Sequence, residues 1–593
     1  MQKNIIMVIL FLLCISIVAQ SPEQLALSMP KICEYITPRT VAIRMNIDKK
    51  VGFGSGAIIS SDGYILTCAH VAEVSPLATV ILSSGEEYPA KLVGIDSQQD
   101  YALLKIDATD LPYFILGDTS NLVLNQWVIA AGYPGGPYTD CQPSVVLGKI
   151  RGLHRRFFIA SPMKVYRDTI LTDVPIFAGN SGGPLVDSSG SLIGINGAII
   201  VINDLSISID INLIKKKLNV LRSGKKIKSN MPSWQEILKI FEELEEIFTE
   251  EELHKLFKPF KSLGFLFDNL SIPQTYTNLG ITCIEQNNQV FVEKVYLNYM
   301  GFIAGLKSKD KIVSVNQIPI SSIRQLASLI KDKSKQYLWQ IERNGKNYTF
   351  FVSYNKKDYS RNNILKRSFS PLKKNISKSI VKLYSNDQQI GYGTIIDKNG
   401  SFLTCNHILE KHETIQAEYQ NKMYTATIVG KNGIQDIALL KINQKTVPFK
   451  CSKSVNKGEW VITGDVLQVG MVSAVNRAVM QKRNVPNLGL FGMLGTSNKS
   501  PIRCYLSVIH HDSDIEENQF GTPLLNAKGE LIGINVASFY RGTTFAIPLE
   551  MIFSIFSELK QGIKIEVPEI FAPIPPKEST VKKILDYFNN FLQ

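Results

Sequence analysis

Cysteine is scarce in this chain of 593 residues, which has eight, and Cys14 lies inside an N-terminal apolar segment. The other seven are too few, and odd in number, for a disulfide scaffold, and no spacing matches a zinc site. Cys68 and Cys405 each stand two residues before a histidine in matched apolar segments, which favours buried free thiols. We therefore expect no metal and no cofactor.

Long hydrophobic runs are lacking beyond the first 20 residues. After Lys3, Ile5 to Val18 form an apolar run of 14 residues, and a small-residue cleavage site follows Ala19. This pattern predicts a signal peptide over residues 1–20. The run is short for a transmembrane helix, although an uncleaved membrane anchor is the alternative. We expect an extracytoplasmic protein, either periplasmic or secreted.

Motifs for nucleic-acid binding are absent, so we expect no nucleic-acid partner. The net charge of +13 is interpreted as part of a Lys-, Asn- and Ile-rich compositional bias. Attraction to acidic surfaces is the alternative interpretation of this charge. A chain with 45% hydrophobic and 20% charged residues is typical of globular proteins. Its length predicts three or four domains.

An internal repeat dominates the sequence. The matching residues are separated by 337 positions at a histidine, 336 at an aspartate and 339 at a serine position. Such steady spacing predicts two copies of one domain. The recurring segments begin at Gly52 and Gly391, Thr67 and Thr404, Gln99 and Gln435, Asn180 and Gln519, and Leu192 and Leu531.

Each copy consists of short β-branched segments separated by turn residues, which predicts an all-β barrel or sandwich. An apolar helix-like run closes each copy, at 211–221 and 549–559. The two copies span 28–221 and 365–560. Residues 222–260 are predicted to be a basic linker and an amphipathic helix, and residues 561–593 a Pro-rich linker with a C-terminal helix.

Three residues of the first copy have the chemistry of nucleophilic catalysis. Ser181 needs a base to remove its proton, His70 can act as that base, and Asp100 can orient and stabilise the histidine. Their order along the chain is that of the chymotrypsin fold. The segment Gly179-Asn180-Ser181 can turn its backbone amides toward one point and form an oxyanion hole.

The first copy resembles the HtrA/Deg family of trypsin-like serine proteases. The sequence motifs that carry the resemblance are Gly54-Ser-Gly56, Thr67-Cys-Ala-His70-Val, the Asp100 segment and the segment from Thr172 to Leu185. The resemblance implies a double six-stranded β-barrel with the site between the barrels. It also implies cleavage of unfolded or misfolded protein and peptide substrates.

The trypsin-like resemblance also places a pocket for the substrate side chain. It implies that Pro175 forms the floor, with Ile176 beside it and Asn196 and Gly197 in the wall. Because no carboxylate stands at the floor, we expect cleavage after small or medium aliphatic residues.

The middle of the chain, residues 261–355, resembles a PDZ domain. Leu279-Gly280-Ile281 matches the turn that binds a peptide carboxy terminus, and 323–330 matches the groove helix. Such domains add a peptide strand to their sheet, so a C-terminal peptide ligand is expected, with a spacer lacking a ligand as the alternative. Lys309 stands where the family usually has glycine.

The second copy retains His407 and Asp436 but has Phe520 at the serine position and Asn518 for Gly179. Phenylalanine cannot attack a carbonyl, so we expect a pseudoprotease; Ser513 is a weak substitute because it lies seven residues away. Its role is left open between structure, substrate binding and control of the first copy.

The predicted fold is therefore mostly β, with two chymotrypsin-like double β-barrel domains flanking a PDZ-like α/β domain. The predicted function is an exported serine endopeptidase. The alternative is a peptide-binding scaffold or a holdase chaperone with a latent protease site. A homo-oligomer is also expected.

Overall fold

The computed structural model forms two lobes and a middle unit. The predicted signal peptide, the amphipathic helix after the first copy and the C-terminal helix lie outside the described residues. The structure describes residues 22–47, 50–73, 78–160, 163–200, 205–227, 276–277, 281–295, 306–330, 336–343, 345–353, 368–410, 412–465, 467–480, 504–540 and 542–565.

The first lobe, residues 22–227, starts with helix α1 (Pro22–Ile36), and its first barrel follows. β6 pairs with β5 and closes the sheet order β5-β4-β1-β2-β3-β6 into a barrel. Its strands are β1 (Thr40–Ile47), β2 (Lys50–Ile58), β3 (Tyr64–Thr67), β4 (Ala78–Ile81), β5 (Glu87–Asp96) and β6 (Tyr101–Ile106). The short helix α2 (Ala69–Ala72) follows β3.

The second barrel of the first lobe is also closed, in the order β10-β11-β12-β9-β8-β7. Helix α3 (Ile211–Arg222) ends the lobe and begins where the Asp210 carboxylate accepts the Asn212 amide. The strands are β7 (Trp127–Gly132), β8 (Ser144–Ala160), β9 (Met163–Thr172), β10 (Pro184–Asp187), β11 (Leu192–Ile200) and β12 (Leu205–Asp210).

One part of the predicted basic linker belongs to the first lobe instead. Strand β13 (Lys226–Ile227) pairs in parallel with β5. The linker prediction is wrong at these residues because a two-residue strand is too short to show any periodicity in sequence.

The middle unit, residues 276–353, is a sheet with one described helix and a hydrophobic core of its own. Lys309 has a φ of 72°, so the turn that was expected to hold glycine forms with lysine in the left-handed region. The strands are β14 (Tyr276–Thr277), β15 (Ile281–Gln286), β16 (Gln289–Val295), β17 (Lys311–Val315), β18 (Ile318–Pro319), β19 (Gln336–Arg343) and β20 (Lys346–Ser353), and the helix is α4 (Ile323–Leu329).

The second lobe, residues 368–565, repeats the first. One barrel closes in the order β24-β21-β22-β23-β26-β25, and the other in the order β27-β28-β29-β32-β31-β30. Helix α5 (Lys373–Ile376) precedes the barrels and α6 (Leu549–Lys560) follows them. The first of these barrels contains β21 (Ile380–Ser385), β22 (Gln388–Ile395), β23 (Ser401–Cys405), β24 (Ile415–Tyr419), β25 (Lys422–Asn432) and β26 (Ile437–Lys441).

The last barrel completes the second lobe, and β33 (Lys564–Ile565) then pairs in parallel with β25, as β13 does with β5. Its strands are β27 (Trp460–Thr463), β28 (Gln468–Met480), β29 (Cys504–His511), β30 (Pro523–Asn526), β31 (Leu531–Tyr540) and β32 (Thr543–Pro548). The predicted mostly-β fold is thereby confirmed.

The two lobes pack directly on each other. One continuous hydrophobic cluster contains buried side chains of both, from Met29 and Ile36 to Trp460 and Phe545. Strand β28 of the second lobe lies against β8 of the first, where the Ser473 hydroxyl donates to the Val145 carbonyl at 2.7 Å.

Candidate active site

His70 lies in helix α2, three residues after β3 ends. Hydrogen bonds fix the turn between strand and helix: the Thr67 hydroxyl donates to the Ser55 carbonyl at 2.7 Å, and the Ala69 amide to the Asp100 carbonyl at 3.1 Å. The imidazole is therefore held at the cleft between the barrels, with about a third of its side chain exposed.

Asp100 accepts three hydrogen bonds that hold it in place. His70 gives two of them, from its backbone amide to Oδ1 at 2.9 Å and from ring Nδ1 to Oδ2 at 2.7 Å. The third comes from the hydroxyl of Tyr166, which is 2.5 Å from Oδ2. The carboxylate is fully buried, and its residue has a φ of 62°. A buried carboxylate bonded to Nδ1 leaves Nε2 as the nitrogen that can act as a base.

Tyr166 is a site residue that the sequence analysis did not identify. Burial, and then the charge of Asp100, raises the pKa of the phenol well above its ordinary value. The hydroxyl therefore stays protonated and serves as a donor to the carboxylate at any physiological pH.

Ligating atoms of Cys68, His70 and Asp100 lie within 4.8 Å of one another, which is close enough to hold a metal ion. Each atom has a structural partner, however. The Cys68 thiol donates to the Asn196 carbonyl at 3.1 Å, and the other two groups bond to each other. This donor set fits a histidine–aspartate pair better than a metal centre.

Ser181 lies at the corner before β10, where two backbone amides stay available. The Ala178 carbonyl accepts the Gly135 amide at 2.9 Å, and the Asn180 carbonyl accepts the Gly183 amide at 2.9 Å. Because carbonyl and N–H point in opposite directions in a trans peptide, the amides of Gly179 and Ser181 are turned away from these partners. Neither donates to another group in the described part of the chain.

The third predicted donor of the oxyanion hole is different. The Asn180 amide donates to the Phe177 carbonyl at 2.9 Å, so it closes the turn and cannot also bind an oxyanion. We correct the prediction for this residue. Only the amides of Gly179 and Ser181 remain candidates.

Residue 179 has to be glycine. Its φ is 102°, and a Cβ built there would lie 2.3 Å from the Tyr133 carbonyl oxygen. Ser55 supports the same turn because its hydroxyl donates to the Gly179 carbonyl at 2.6 Å and accepts the Tyr133 amide at 3.0 Å. The loop between β7 and β8, residues 133–143, thus lies directly against the turn that carries the candidate oxyanion amides.

Two predicted pocket residues are structural instead. The Ile176 side chain is in the core of the second barrel. The Asn196 side chain is buried, where its amide donates to the Pro184 carbonyl at 3.3 Å and its oxygen accepts the Ser208 hydroxyl at 3.2 Å. Pro175 is buried against the second lobe, since a Cβ on Gly542 would lie 2.9 Å from its ring. Gly197 adjoins the ring of Tyr166.

The second lobe reproduces the histidine–aspartate–tyrosine arrangement. Nδ1 of His407 is 2.7 Å from Asp436 Oδ2, and the Tyr505 hydroxyl donates to the same oxygen at 2.9 Å. Asp436 has a φ of 56°, close to that of its counterpart in the first lobe.

Phe520 occupies the position of the nucleophile. Its carbonyl accepts the Tyr392 amide at 2.9 Å, as the Ser181 carbonyl accepts the Ser55 amide at 2.8 Å. The phenyl ring packs edge-on against His407, with ring centroids 5.6 Å apart.

One of the two corresponding backbone amides is bonded internally in the second lobe. Residues Glu517–Gln519 form a 3-10 turn, and the Phe520 amide donates to the Glu517 carbonyl at 3.2 Å. This amide corresponds to the available amide of Ser181. Ser513, the alternative nucleophile, is fully buried with its backbone against Gly470, so a substrate cannot reach it.

The predicted peptide-binding turn of the middle unit is described only at Ile281; Leu279 and Gly280 lie outside the described residues. Ile281 is fully buried, and the chain already pairs the sheet edge there, because Thr277 of β14 lies opposite it. The Glu285 carboxylate accepts the Ile323 amide at 3.0 Å and so connects β15 to the start of α4. A peptide would therefore compete with the protein's own chain at this edge.

Comparison with known proteins agrees with the repeat seen in the fold. The model of the trypsin-like peptidase domain matches residues 54–195 and again 391–534. Each lobe therefore contains one match to the trypsin-like peptidase domain. In the first lobe, the turn before β10 carries Ser181 with its backbone amide available. In the second lobe, the corresponding turn carries Phe520, whose amide donates to the Glu517 carbonyl.

Related proteins include two described as probable periplasmic DegP-like serine endoproteases. The one from Halomonas elongata is 46% identical over 138 residues, which cover 23% of this chain and 27% of the relative. The one from Pseudomonas fulva is 46% identical over 132 residues, 22% of this chain and 26% of the relative. The chain thus spans about a quarter of the length of these relatives. The resemblance to HtrA/Deg proteases is confirmed.

Similar solved structures include the HtrA-type protease AlgW with a tripeptide, at 22% identity and a TM-score of 0.29, covering 54% of this chain and 95% of that one. A serine endoprotease from Yersinia pestis is 22% identical with a TM-score of 0.28, covering 55% of this chain and 96% of that one. Within the described residues, no helix is apolar and long enough for a membrane span.

Proposed function

We propose that the chain is an extracytoplasmic serine endopeptidase that cleaves unfolded or misfolded proteins. Ser181 attacks the carbonyl carbon of the peptide, and Nε2 of His70 takes the serine proton and passes it to the leaving amine. Asp100 stabilises the imidazolium that forms, and the amides of Gly179 and Ser181 bind the oxyanion. Water then hydrolyses the acyl-enzyme. The periplasmic relatives support the location.

The observation that carries this proposal is the difference between the two lobes. Both have the histidine–aspartate–tyrosine arrangement, so that arrangement alone is no evidence for catalysis. Only the first lobe combines it with a hydroxyl at the corner and with two amides that have no carbonyl partner in the described chain. Acyl transfer requires this combination, whereas folding of the domain does not.

A preference for small or medium aliphatic side chains before the cleaved bond belongs to the same proposal. Asp173 is the nearest carboxylate before Pro175, the residue predicted for the pocket floor, but it already bonds to Arg151 Nη2 at 2.5 Å and to the Lys149 amide at 2.6 Å. It is therefore neutralised and cannot pair with a basic substrate side chain. In a panel of peptides that differ only at this residue, alanine or valine should be cleaved faster than arginine or lysine.

Matched variants of the two lobes test the proposal. We expect wild type to degrade casein and to react with a fluorophosphonate probe, and Ser181→Ala and His70→Ala to lose both. His407→Ala, which changes the corresponding histidine of the second lobe, should keep both. An unlabelled wild type, even with activating peptides, would contradict the proposal. Suppression of aggregation that survives in Ser181→Ala would favour the chaperone alternative.

Two further partners stay predictions. A peptide carboxy terminus at the middle unit would have to separate β14 from β15, so its binding should be weak unless that pair opens. Titration of fluorescent C-terminal peptides measures this affinity. Light scattering on the purified chain tests the predicted homo-oligomer.

A further inference from the structure

The second lobe also contacts loop 133–143, the loop that lies against the oxyanion turn. From the second lobe, Arg477 reaches this loop from strand β28 with a fully buried side chain. Its Nε is 3.0 Å from Asp140 Oδ2, and its Nη2 donates to the Gln142 carbonyl at 2.7 Å. Its guanidinium lies 4.3 Å from the centre of the Tyr138 ring.

Further bonds of the second lobe hold the end of the same loop. Nη1 of Arg477 donates to the Ser144 hydroxyl at 3.1 Å, and Lys457 Nζ donates to the Pro143 carbonyl at 3.2 Å. His510 lies on the other side of Arg477, with its Nδ1 2.9 Å from Nη1. Burial first, and then the charge of Arg477, lowers the pKa of His510 well below its ordinary value, so this imidazole is neutral and accepts the bond.

The other end of the loop holds the oxyanion turn. The Gly135 amide donates to the Ala178 carbonyl at 2.9 Å, and this bond sets the direction of the Gly179 amide on the same peptide. The Tyr133 carbonyl lies where a side chain at 179 would be. A change in the loop would therefore let the 178–179 peptide rotate and turn one oxyanion donor away.

We propose that the inactive second lobe positions the active site of the first, and that Arg477 is the positioning residue that fixes loop 133–143 against the oxyanion turn. This inference rests on the proposed function of Ser181. It assigns control of the first copy to the second lobe. Arg477 touches no reacting atom, and it acts only through the loop.

A guanidinium suits this task because its donors lie in one plane and point in fixed directions. Here they meet a carboxylate and a carbonyl of the loop and the Ser144 hydroxyl at the start of β8. Lysine would keep the charge but could not reproduce this fork. Arg477→Lys should therefore restore only part of the activity that Arg477→Gln loses.

Two variants test the proposal from opposite sides of the contact in the full-length protein. Arg477→Gln removes the guanidinium charge that the second lobe contributes to this contact. Asp140→Asn removes the negative charge of its partner in the first lobe and leaves Arg477 in place. The matched control is Arg343→Gln in the middle unit, where Arg343 also bonds to a buried carboxylate, that of Asp310, at 2.6 Å.

Kinetics on a chromogenic peptide separate positioning from general stability. We expect kcat to fall at least tenfold in Arg477→Gln and in the same direction in Asp140→Asn, toward the roughly 10²–10³-fold loss that removal of one oxyanion donor causes. KM should stay within about twofold. The acidic limb of the pH profile should not move, because the bonds that join Asp100 to His70 and to Tyr166 do not involve the loop.

Hydrogen exchange of the segments 133–143 and 173–183 is the second measurement, and it needs no activity. Both should exchange faster in Arg477→Gln and Asp140→Asn than in wild type or Arg343→Gln. If Arg477→Gln does not fold, Asp140→Asn decides.

The inference would be overturned if folded Arg477→Gln or Asp140→Asn kept both the kcat and the hydrogen-exchange rates of wild type. An equal loss of kcat in Arg343→Gln would also overturn it. If wild type itself fails to react with the fluorophosphonate, the proposed function fails, and exchange alone then decides whether Arg477 orders the turn.

Discussion

Tyr166→Phe removes one hydrogen bond from the Asp100 carboxylate and little else. The Tyr166 hydroxyl is 2.5 Å from Asp100 Oδ2, the oxygen that also contacts His70 Nδ1. The ring is buried against the protein interior. Phenylalanine keeps its packing, so the change isolates the contribution of the hydroxyl.

The expected loss of stability follows from the charge of the acceptor. A hydrogen bond to a charged group contributes about 1.5–3 kcal/mol, and the buried carboxylate loses one of its donors in this variant. For a lobe of this size each kcal/mol changes Tm by about 2–4 °C, which together gives a decrease of about 3–12 °C. Thermal unfolding at neutral pH, where Asp100 is ionised, measures this change.

The catalytic effect has a definite sign. The Tyr166 hydroxyl partly neutralises the negative charge on Asp100 Oδ2. Without this hydrogen bond, the carboxylate stabilises the imidazolium of His70 more strongly. A stabilised imidazolium loses its proton at higher pH. We therefore expect the acidic limb of kcat/KM to move to higher pH in Tyr166→Phe.

Tyr505→Phe is the matched control, because it removes the corresponding bond to Asp436 in the second lobe. It should cost a similar amount of stability and leave the pH profile of hydrolysis unchanged. The reasoning is refuted if Tyr166→Phe keeps the wild-type acidic limb, or if Tyr505→Phe shifts it as much.

Two further changes concern the second lobe and the contact between the lobes. Phe520→Ser in a Ser181→Ala background should not restore fluorophosphonate labelling, because the amide at 520 still donates to Glu517; restored labelling would contradict this account of the corner. Burial lowers the pKa of Lys457 to about 8, so its charge costs the folded state up to about 3 kcal/mol below pH 8, and this cost disappears as the pH rises to that of an ordinary lysine. Lys457→Met should thus unfold at higher urea concentration than wild type at pH 7, with a smaller difference at pH 10, unless its bonds to Thr37 and Pro143 outweigh the buried charge.

The proposed catalytic residues could be identified because each lies in a short, contiguous sequence motif with its own chemistry. The order of His70, Asp100 and Ser181 and the repeat at nearly constant spacing were enough to propose the triad. The alternation of apolar and polar residues between turn signals was enough to predict the barrels. The serine at 181 and the phenylalanine at 520 could be compared by alignment of the two copies alone.

The residues that were missed act through pairings across the fold. Tyr166 and Tyr505 are separated by 339 residues, the same spacing as Ser181 and Phe520, so a closer comparison of the copies could have found them. No such signal exists for Arg477, since its partners in loop 133–143 lie more than 300 residues away and belong to the other copy. The pocket assignment of Asn196 failed because side-chain direction depends on a register shift in β11 between Asn196 and Ala198 that sequence does not show.

The two lobes separate what a trypsin-like fold needs in order to form from what it needs in order to react. The buried aspartate at positive φ, its histidine and its tyrosine occur in both, and they tie the short turn after β3 or β23 to the rest of the barrel. They therefore belong to the fold. What distinguishes a reactive lobe is the corner, where an amide must stay without an internal partner, although internal bonding would make that corner more stable. A lobe without a reaction to perform could bond this amide internally, and in the second lobe the Phe520 amide donates to the Glu517 carbonyl. A lobe that catalyses a reaction needs contacts from outside the turn to hold the turn in the conformation that exposes this amide. Loop 133–143, which bonds to Arg477, lies where it can provide them.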